Sequence, residues 1–228
     1  MSLFVIGDTH LSLATDKPMD VFDGWCDYTD RLKNNWQKLV SPDDTVVIDG
    51  DISWGMSLNE SLKDFEFLNS LNGTKIIVKG NHDFWWSTKT KIDLFFKENG
   101  FDSLKILHNN AYRVGEFAVS GSRGWFFDAE SDGKVMAREC ARIERSIRSA
   151  KELGGETVVF LHYPPVSVTK DCEQIVDVLS RYGIKRCYYG HLHGAASKYA
   201  FNGEKYGIDF RLISADYLGF CPKCVYVP

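Results

Sequence analysis

Five short apolar runs, each ending in a small cluster of glycine, aspartate, asparagine or histidine, set the tightest limit on how this chain folds. The runs are Leu3–Ile6, Thr45–Ile48, Lys75–Val78, Thr157–Leu161 and Arg186–Tyr189. They are short, mostly bounded by turn residues, and read as buried strands. Amphipathic stretches separate them. Trp25–Leu39 places Trp25, Tyr28, Leu32, Trp36 and Leu39 at helical spacing. Ser57–Leu71 repeats the pattern with Leu58, Leu62, Phe65 and Leu68 and stops at Asn72-Gly73; Glu173–Tyr182 does so with Ile175, Val178, Leu179 and Tyr182 and stops at Gly183. Ala111–Gly121 and Lys198–Val227 lack helical period and carry turn signals at Gly115-Glu116 and Asn202-Gly203-Glu204, so both read as antiparallel hairpins. The sum is an α/β sandwich with mixed sheets, a single domain over residues 1–228.

The clusters that end the strands are Gly7-Asp8-Thr9-His10, Gly50-Asp51, Gly80-Asn81-His82-Asp83, His162-Tyr163-Pro164-Pro165 and Gly190-His191-Leu192-His193. In an open α/β sheet, ligands collect beyond the carboxyl ends of the strands, so five segments far apart in sequence can meet there. Five of the six histidines fall in these clusters, and His108 alone lies outside. Mixed imidazole and carboxylate donors suit manganese, iron or zinc better than calcium. Asp8, His10, Asp51, Asn81, His162, His191 and His193 are too many donors for one catalytic ion, which usually takes three. Seven suggest two ions sharing a bridging carboxylate.

The order Asp-x-His, Gly-Asp, Gly-Asn-His-Asp, His, Gly-His-x-His, running from Asp8 to His193, resembles the calcineurin-like metallophosphoesterases. The resemblance implies a four-layer α-β-β-α sandwich of two mixed sheets. It implies that Asp8, His10 and His193 hold one divalent ion, that Asn81, His162 and His191 hold a second, and that Asp51 bridges them. His82 is expected to face the phosphate, with Asp83 fixing its ring. A water shared by two such ions has its pKa lowered to about 7 and supplies hydroxide for in-line attack on a phosphate ester, with His82 as acid to the leaving oxygen. A non-catalytic scaffold of the same fold is the competing reading, but no ligand of the set is missing.

Composition bounds the partners. The net charge of -4 does not predict a nucleic-acid partner, although a positive metal site attracts phosphate by itself. The compact chain favours a small phosphomonoester or phosphodiester over a polymer. No apolar run approaches the ~20 residues needed to cross a bilayer. Met1–Gly7 lacks a basic leader and reads as a strand, and the scattered cysteines read as reduced thiols; both point to the cytoplasm. Cys221-Pro222-Lys223-Cys224 has no second pair to complete a zinc site and reads as ordinary thiols.

Gly50-Asp51 continues as Ile52-Ser53-Trp54, without the arginine expected of a phosphoprotein phosphatase. Arg123 is a candidate replacement that would grip phosphate bidentately; the alternative is that it packs on Trp125. Trp54, Trp85 and Trp86 follow the clusters closely, and one of the three is expected to wall the substrate pocket while two pack in the core. Arg138, Arg142, Arg145 and Arg148 share a helix face, interleaved with Glu139 and Glu144, and read as a solvated surface.

Overall fold

The computed structural model describes residues 1–125 and 133–226. The strands are β1 (Leu3–Ile6), β2 (Thr45–Asp49), β3 (Thr74–Val78), β4 (Leu104–Ile106), β5 (Tyr112–Val114), β6 (Phe117–Ser122), β7 (Glu156–Leu161), β8 (Arg186–Tyr189), β9 (Gly203–Lys205), β10 (Ile208–Leu212) and β11 (Lys223–Tyr226). The helices are α1 (Tyr28–Leu39), α2 (Leu62–Ser70), α3 (Lys89–Glu98), α4 (Gly133–Leu153) and α5 (Glu173–Arg181). One sheet has the order β11-β1-β2-β3-β4 and the other β5-β6-β7-β8-β10-β9. Each has a parallel centre with an antiparallel edge: β11 on β1, β5 on β6 and β9 on β10. No helix among the described residues is long and apolar enough to cross a membrane.

The strands are apolar on both faces because both faces are covered. Leu3 and Val5 of β1, Val47 of β2, Ile76 and Val78 of β3 meet Val119, Val158, Phe160 and Tyr188 of the second sheet in a core between the sheets. The alternate residues Phe4, Ile6, Val46, Ile48 and Ile77 face the other way, against Leu32 and Trp36 of α1, Phe65 and Leu68 of α2, and Ile92 and Phe96 of α3. Val159, Leu161, Cys187 and Tyr189 pack on Ile143 and Ile147 of α4 and Ile175, Val178 and Leu179 of α5. The result is a four-layer α-β-β-α sandwich.

The two sheets join at the end where the ligand clusters emerge. Gly7 donates from its N–H to Ile213 at 2.7 Å, and Ala215 donates back to the Gly7 carbonyl at 2.9 Å. The chain leaving β1 is thereby tied to the chain leaving β10. A further brace, within the first sheet, comes from α2. Asp64 is fully buried and accepts hydrogen bonds from Leu13 N–H at 2.8 Å and from the Ser53 hydroxyl, bracing the segments after β1 and β2.

Some sequence expectations are corrected. The last segment is not one hairpin. β9 and β10 form a hairpin, but its turn is Tyr206-Gly207, with φ of 57° and 70°, the geometry of a two-residue primed turn. Asn202-Gly203 instead leads into β9, where the Asn202 carboxamide oxygen accepts from Leu212 N–H at 2.9 Å. β11 crosses to the other sheet, and Val227 lies outside the described residues. α1 begins at Tyr28, after Asp27 in the left-handed region, so buried Trp25 precedes the helix. α2 begins at Leu62 rather than Ser57. The turn at Gly115-Glu116 joins β5 to β6 as expected.

Replacing Asp64 with alanine removes the acceptor of the Leu13 N–H and one acceptor of the buried Ser53 hydroxyl. The expected loss is about 1–3 kcal/mol of unfolding free energy, read from urea denaturation at constant m-value.

Candidate metal centre

Each cluster leaves its strand by a sharp backbone turn. Asp8, His10, Asp51 and His191 all have left-handed φ, at 53°, 43°, 48° and 70°. Such conformations cost about 1–3 kcal/mol each outside glycine and survive only where the surroundings over-determine them. Here Asp8 N–H donates to the Gly50 carbonyl at 3.0 Å, His10 N–H to Asp51 at 2.9 Å, and Gly190 N–H to His162 at 3.2 Å. Two glycines make room for the carboxylates. A Cβ on Gly80 would stand 2.1 Å from Asp51 Oδ1, and one on Gly190 would stand 2.5 Å from Asp8 Oδ2.

Two groups of donors result, Asp8 with His10 and His193, and Asp51 with His162 and His191; within each, the donor atoms lie within 4.8 Å of one another. Asp51 touches both groups, with Oδ2 3.5 Å from His162 Nε2 and 3.7 Å from His10 Nε2. Asn81 Oδ1 joins the second group, 2.7 Å from His162 Nε2 and 2.9 Å from His191 Nδ1.

The electrostatics fit cations. His162 Nδ1 lies 3.1 Å from the Asp49 carbonyl, a contact that requires the proton on Nδ1. In the neutral ring Nε2 is then an acceptor, and it faces two further acceptors, Asn81 Oδ1 and Asp51 Oδ2. Burial disfavours a second proton on that ring. Burial, with the His193 and His82 rings adding to it against Asp51, pushes His10 down to about 3; burial and His162 do the same to His191. These imidazoles are therefore neutral, the form that binds metal. His10 Nε2 and Asp51 Oδ2 are buried without a hydrogen-bond partner, a costly arrangement that a shared cation relieves. Burial and the neighbouring Asp51 hold the Asp8 carboxyl well above the usual carboxylate range. Burial also acts to raise Asp51, while the His162 and His10 rings, when charged, and the His82 N–H act to lower it.

The remaining expected residues divide. His82 donates its backbone N–H to Asp51 Oδ1 at 2.7 Å, and its ring lies 4.8 Å from the Trp54 ring in the wall of an open cleft. Asp83 does not fix that ring. Its carboxylate accepts from Ile52 N–H and Gly80 N–H, both at 2.7 Å, and from Trp85 Nε1 at 2.9 Å. With both oxygens so engaged, it braces the two turns after β2 and β3 as a positioning residue. Arg123 lies over the Trp125 ring at 5.0 Å and lines a separate cavity next to the centre. Of the tryptophans, Trp54 walls the cleft and stacks on His10 at 4.9 Å, Trp85 is core, and Trp86 packs partly on the core and lines the Arg123 cavity. Sequence reading missed Lys17 and Phe22, which complete the cleft with Trp25. They sit in an irregular loop with no period to mark them.

Asp83→Asn tests the bracing role. One of the three N–H donors loses its acceptor and faces an amide N–H instead, which predicts a loss of about 1–3 kcal/mol in denaturant unfolding.

The sequence profile of the calcineurin-like phosphoesterases matches residues 1–195. No curated protein sequence matches the chain. Among solved structures, the protein of unknown function AQ665 from Aquifex aeolicus shares the fold, with a TM-score of 0.53 at 16% identity over 98% of this chain and 95% of its own. Another solved structure aligns at a TM-score of 0.53 and 15% identity, covering 90% of this chain and 91% of its own. With the profile spanning most of its length and both donor groups in place, this chain belongs to the calcineurin-like phosphoesterase family.

Proposed function

We propose that the protein is a dinuclear metal-dependent hydrolase of small phosphate esters. One observation carries the reading beyond family membership: His162 Nε2, an acceptor once Nδ1 is protonated, faces Asn81 Oδ1 at 2.7 Å and Asp51 Oδ2 at 3.5 Å, an arrangement that a cation would relieve. Asp8, His10 and His193 would hold one divalent ion, Asn81, His162 and His191 the other, with Asp51 shared. Manganese, iron and zinc suit this nitrogen and oxygen set. When bound, such a pair supplies positive charge to the phosphoryl oxygens and a water acidic enough to lose its proton near neutral pH.

The protein's own residues do the rest. The neutral imidazoles leave the carboxylates Asp8 and Asp51 as the negative groups among the donors, so a doubly loaded centre attracts an anionic ester. Trp54, stacked on His10, walls the cleft beside the centre and offers an apolar surface to the substrate. His82, held near the donors through its backbone bond to Asp51, would deliver a proton to the leaving oxygen. Trp54 in the cleft wall, with no arginine in the Ile52-Ser53-Trp54 continuation that a phosphoprotein phosphatase would carry, supports a compact substrate over a phosphoprotein.

Two experiments test this. In the first, metal-stripped protein is reloaded with manganese and assayed on p-nitrophenyl phosphate and bis-p-nitrophenyl phosphate. Turnover should require metal and fall by about 10²-fold or more in Asp51→Asn, and the preferred ester tells monoesterase from diesterase. Metal-loaded protein inert toward both esters would favour the scaffold reading. In the second, His82→Ala should keep both metals, lose about 10²–10⁴-fold on an alkyl phosphate, and lose far less on p-nitrophenyl phosphate, whose leaving group needs no proton. Equal losses on both esters would remove the acid role.

A further inference from the structure

A second cavity, of about 450 Å³, is built in part from the segments after β3 and β6, which lead to or hydrogen-bond with the turns that carry Asn81 and His162. Lys79, Arg123 and Arg142 line it, together with Trp86, Thr88 and Glu139. Its connection to the centre is covalent and close. Lys79 directly precedes Gly80-Asn81. The Arg123 carbonyl accepts from Tyr163 N–H at 2.9 Å, one residue after His162, and the Tyr163 ring lies 4.5 Å from that of His191.

The charge in this cavity is uncompensated. Glu139 is its one lining carboxylate, and both of its oxygens are taken: Oε1 by the Ser122 hydroxyl and by Gly124 N–H at 3.0 Å, Oε2 by Arg142 at 3.0 Å. Among the described residues no carboxylate pairs with Lys79 or Arg123. The Arg123 guanidinium lies over the Trp125 ring at 5.0 Å, a contact that engages its face and not its N–H donors. Thr88, the N-cap of α3, also lines the cavity, and the first turn of that helix carries no acidic residue to offset its positive end.

We propose that this cavity is an anion subsite that takes a second phosphate-class group of the same substrate whose ester is held at the metals. The inference rests on the phosphoesterase reading for its substrate, and narrows that substrate to phosphate esters with a second anionic group. Arg123 and Lys79 grip the distal anion, and Arg142, anchored by Glu139, adds to the field.

Isothermal titration of the metal-loaded full chain tests the subsite without requiring turnover. The probes are butylphosphonate and a series of α,ω-alkane bisphosphonates with two to six carbons, which cannot be hydrolysed. The best-fitting bisphosphonate should bind about tenfold or more tighter than butylphosphonate, as a charge-assisted bidentate contact predicts. Arg123→Met and Lys79→Met should each erase most of that advantage, Arg123→Lys should restore part of it, and Arg145→Met, on an exposed face of α4 outside the cavity, should not change it. No advantage in the wild type, an advantage that survives Arg123→Met, or an equal loss in Arg145→Met would overturn the subsite. The ester assays report separately. A bisphosphonate advantage in a protein that hydrolyses nothing would retain the subsite and remove the enzyme, and hydrolysis without the advantage would do the reverse.

Discussion

Acceptor atoms crowded together with too few donors govern this structure. Asp8, Asp51, Asn81 and the neutral rings of His10, His162 and His191 are driven into one small volume at the ends of five strands. Without cations such a cluster is costly, because desolvated carboxylates and imidazole lone pairs repel one another. The fold accepts four strained left-handed residues and two tight glycine contacts to build it. Everything nearby serves to hold that arrangement: the Gly7–Ile213 junction between the sheets, the Asp83 brace between two turns, and the Asp64 brace beneath them.

The sandwich supplies the rigidity this requires. Parallel strands covered on both faces present their carboxyl ends in one plane, and their packed cores fix where each turn begins. Around the centre the surface is asymmetric. On the His10 and His193 side lies a largely aromatic cleft, walled by Trp25 and Trp54. Built from segments joined to the turns of Asn81 and His162 is a cationic one, with Lys79 and Arg123. A substrate that spans the centre meets apolar contact on one flank and positive charge on the other.

Much of this was legible in the sequence, for physical reasons. Strands buried on both faces write themselves as continuous apolar runs, so β1, β2, β3, β7 and β8 were visible with the clusters that follow them. What stayed hidden depends on tertiary contact. β4 is three residues long and gains its identity from pairing with β3, and the start of α1 is set by a left-handed Asp27 that no periodicity marks. Trp25 fits the helical spacing yet packs against His10 and His193 from the preceding loop. The role of Asp83 was misjudged because adjacency to His82 in sequence says nothing about where its carboxylate points. Three N–H donors, from Ile52, Gly80 and Trp85, decide that. The cationic cavity gathers residues from the segments after β3 and β6 and from α4, and has no linear signature.

The most direct test of the central claim is to count the metals. Equilibrium dialysis against manganese, followed by elemental analysis and electron paramagnetic resonance, reads both number and proximity. The account predicts two manganese ions per chain with a spin-coupled spectrum, and loss of that coupling in Asp51→Asn while the fold persists. A folded wild-type protein that binds one ion, two uncoupled ions or none would contradict it.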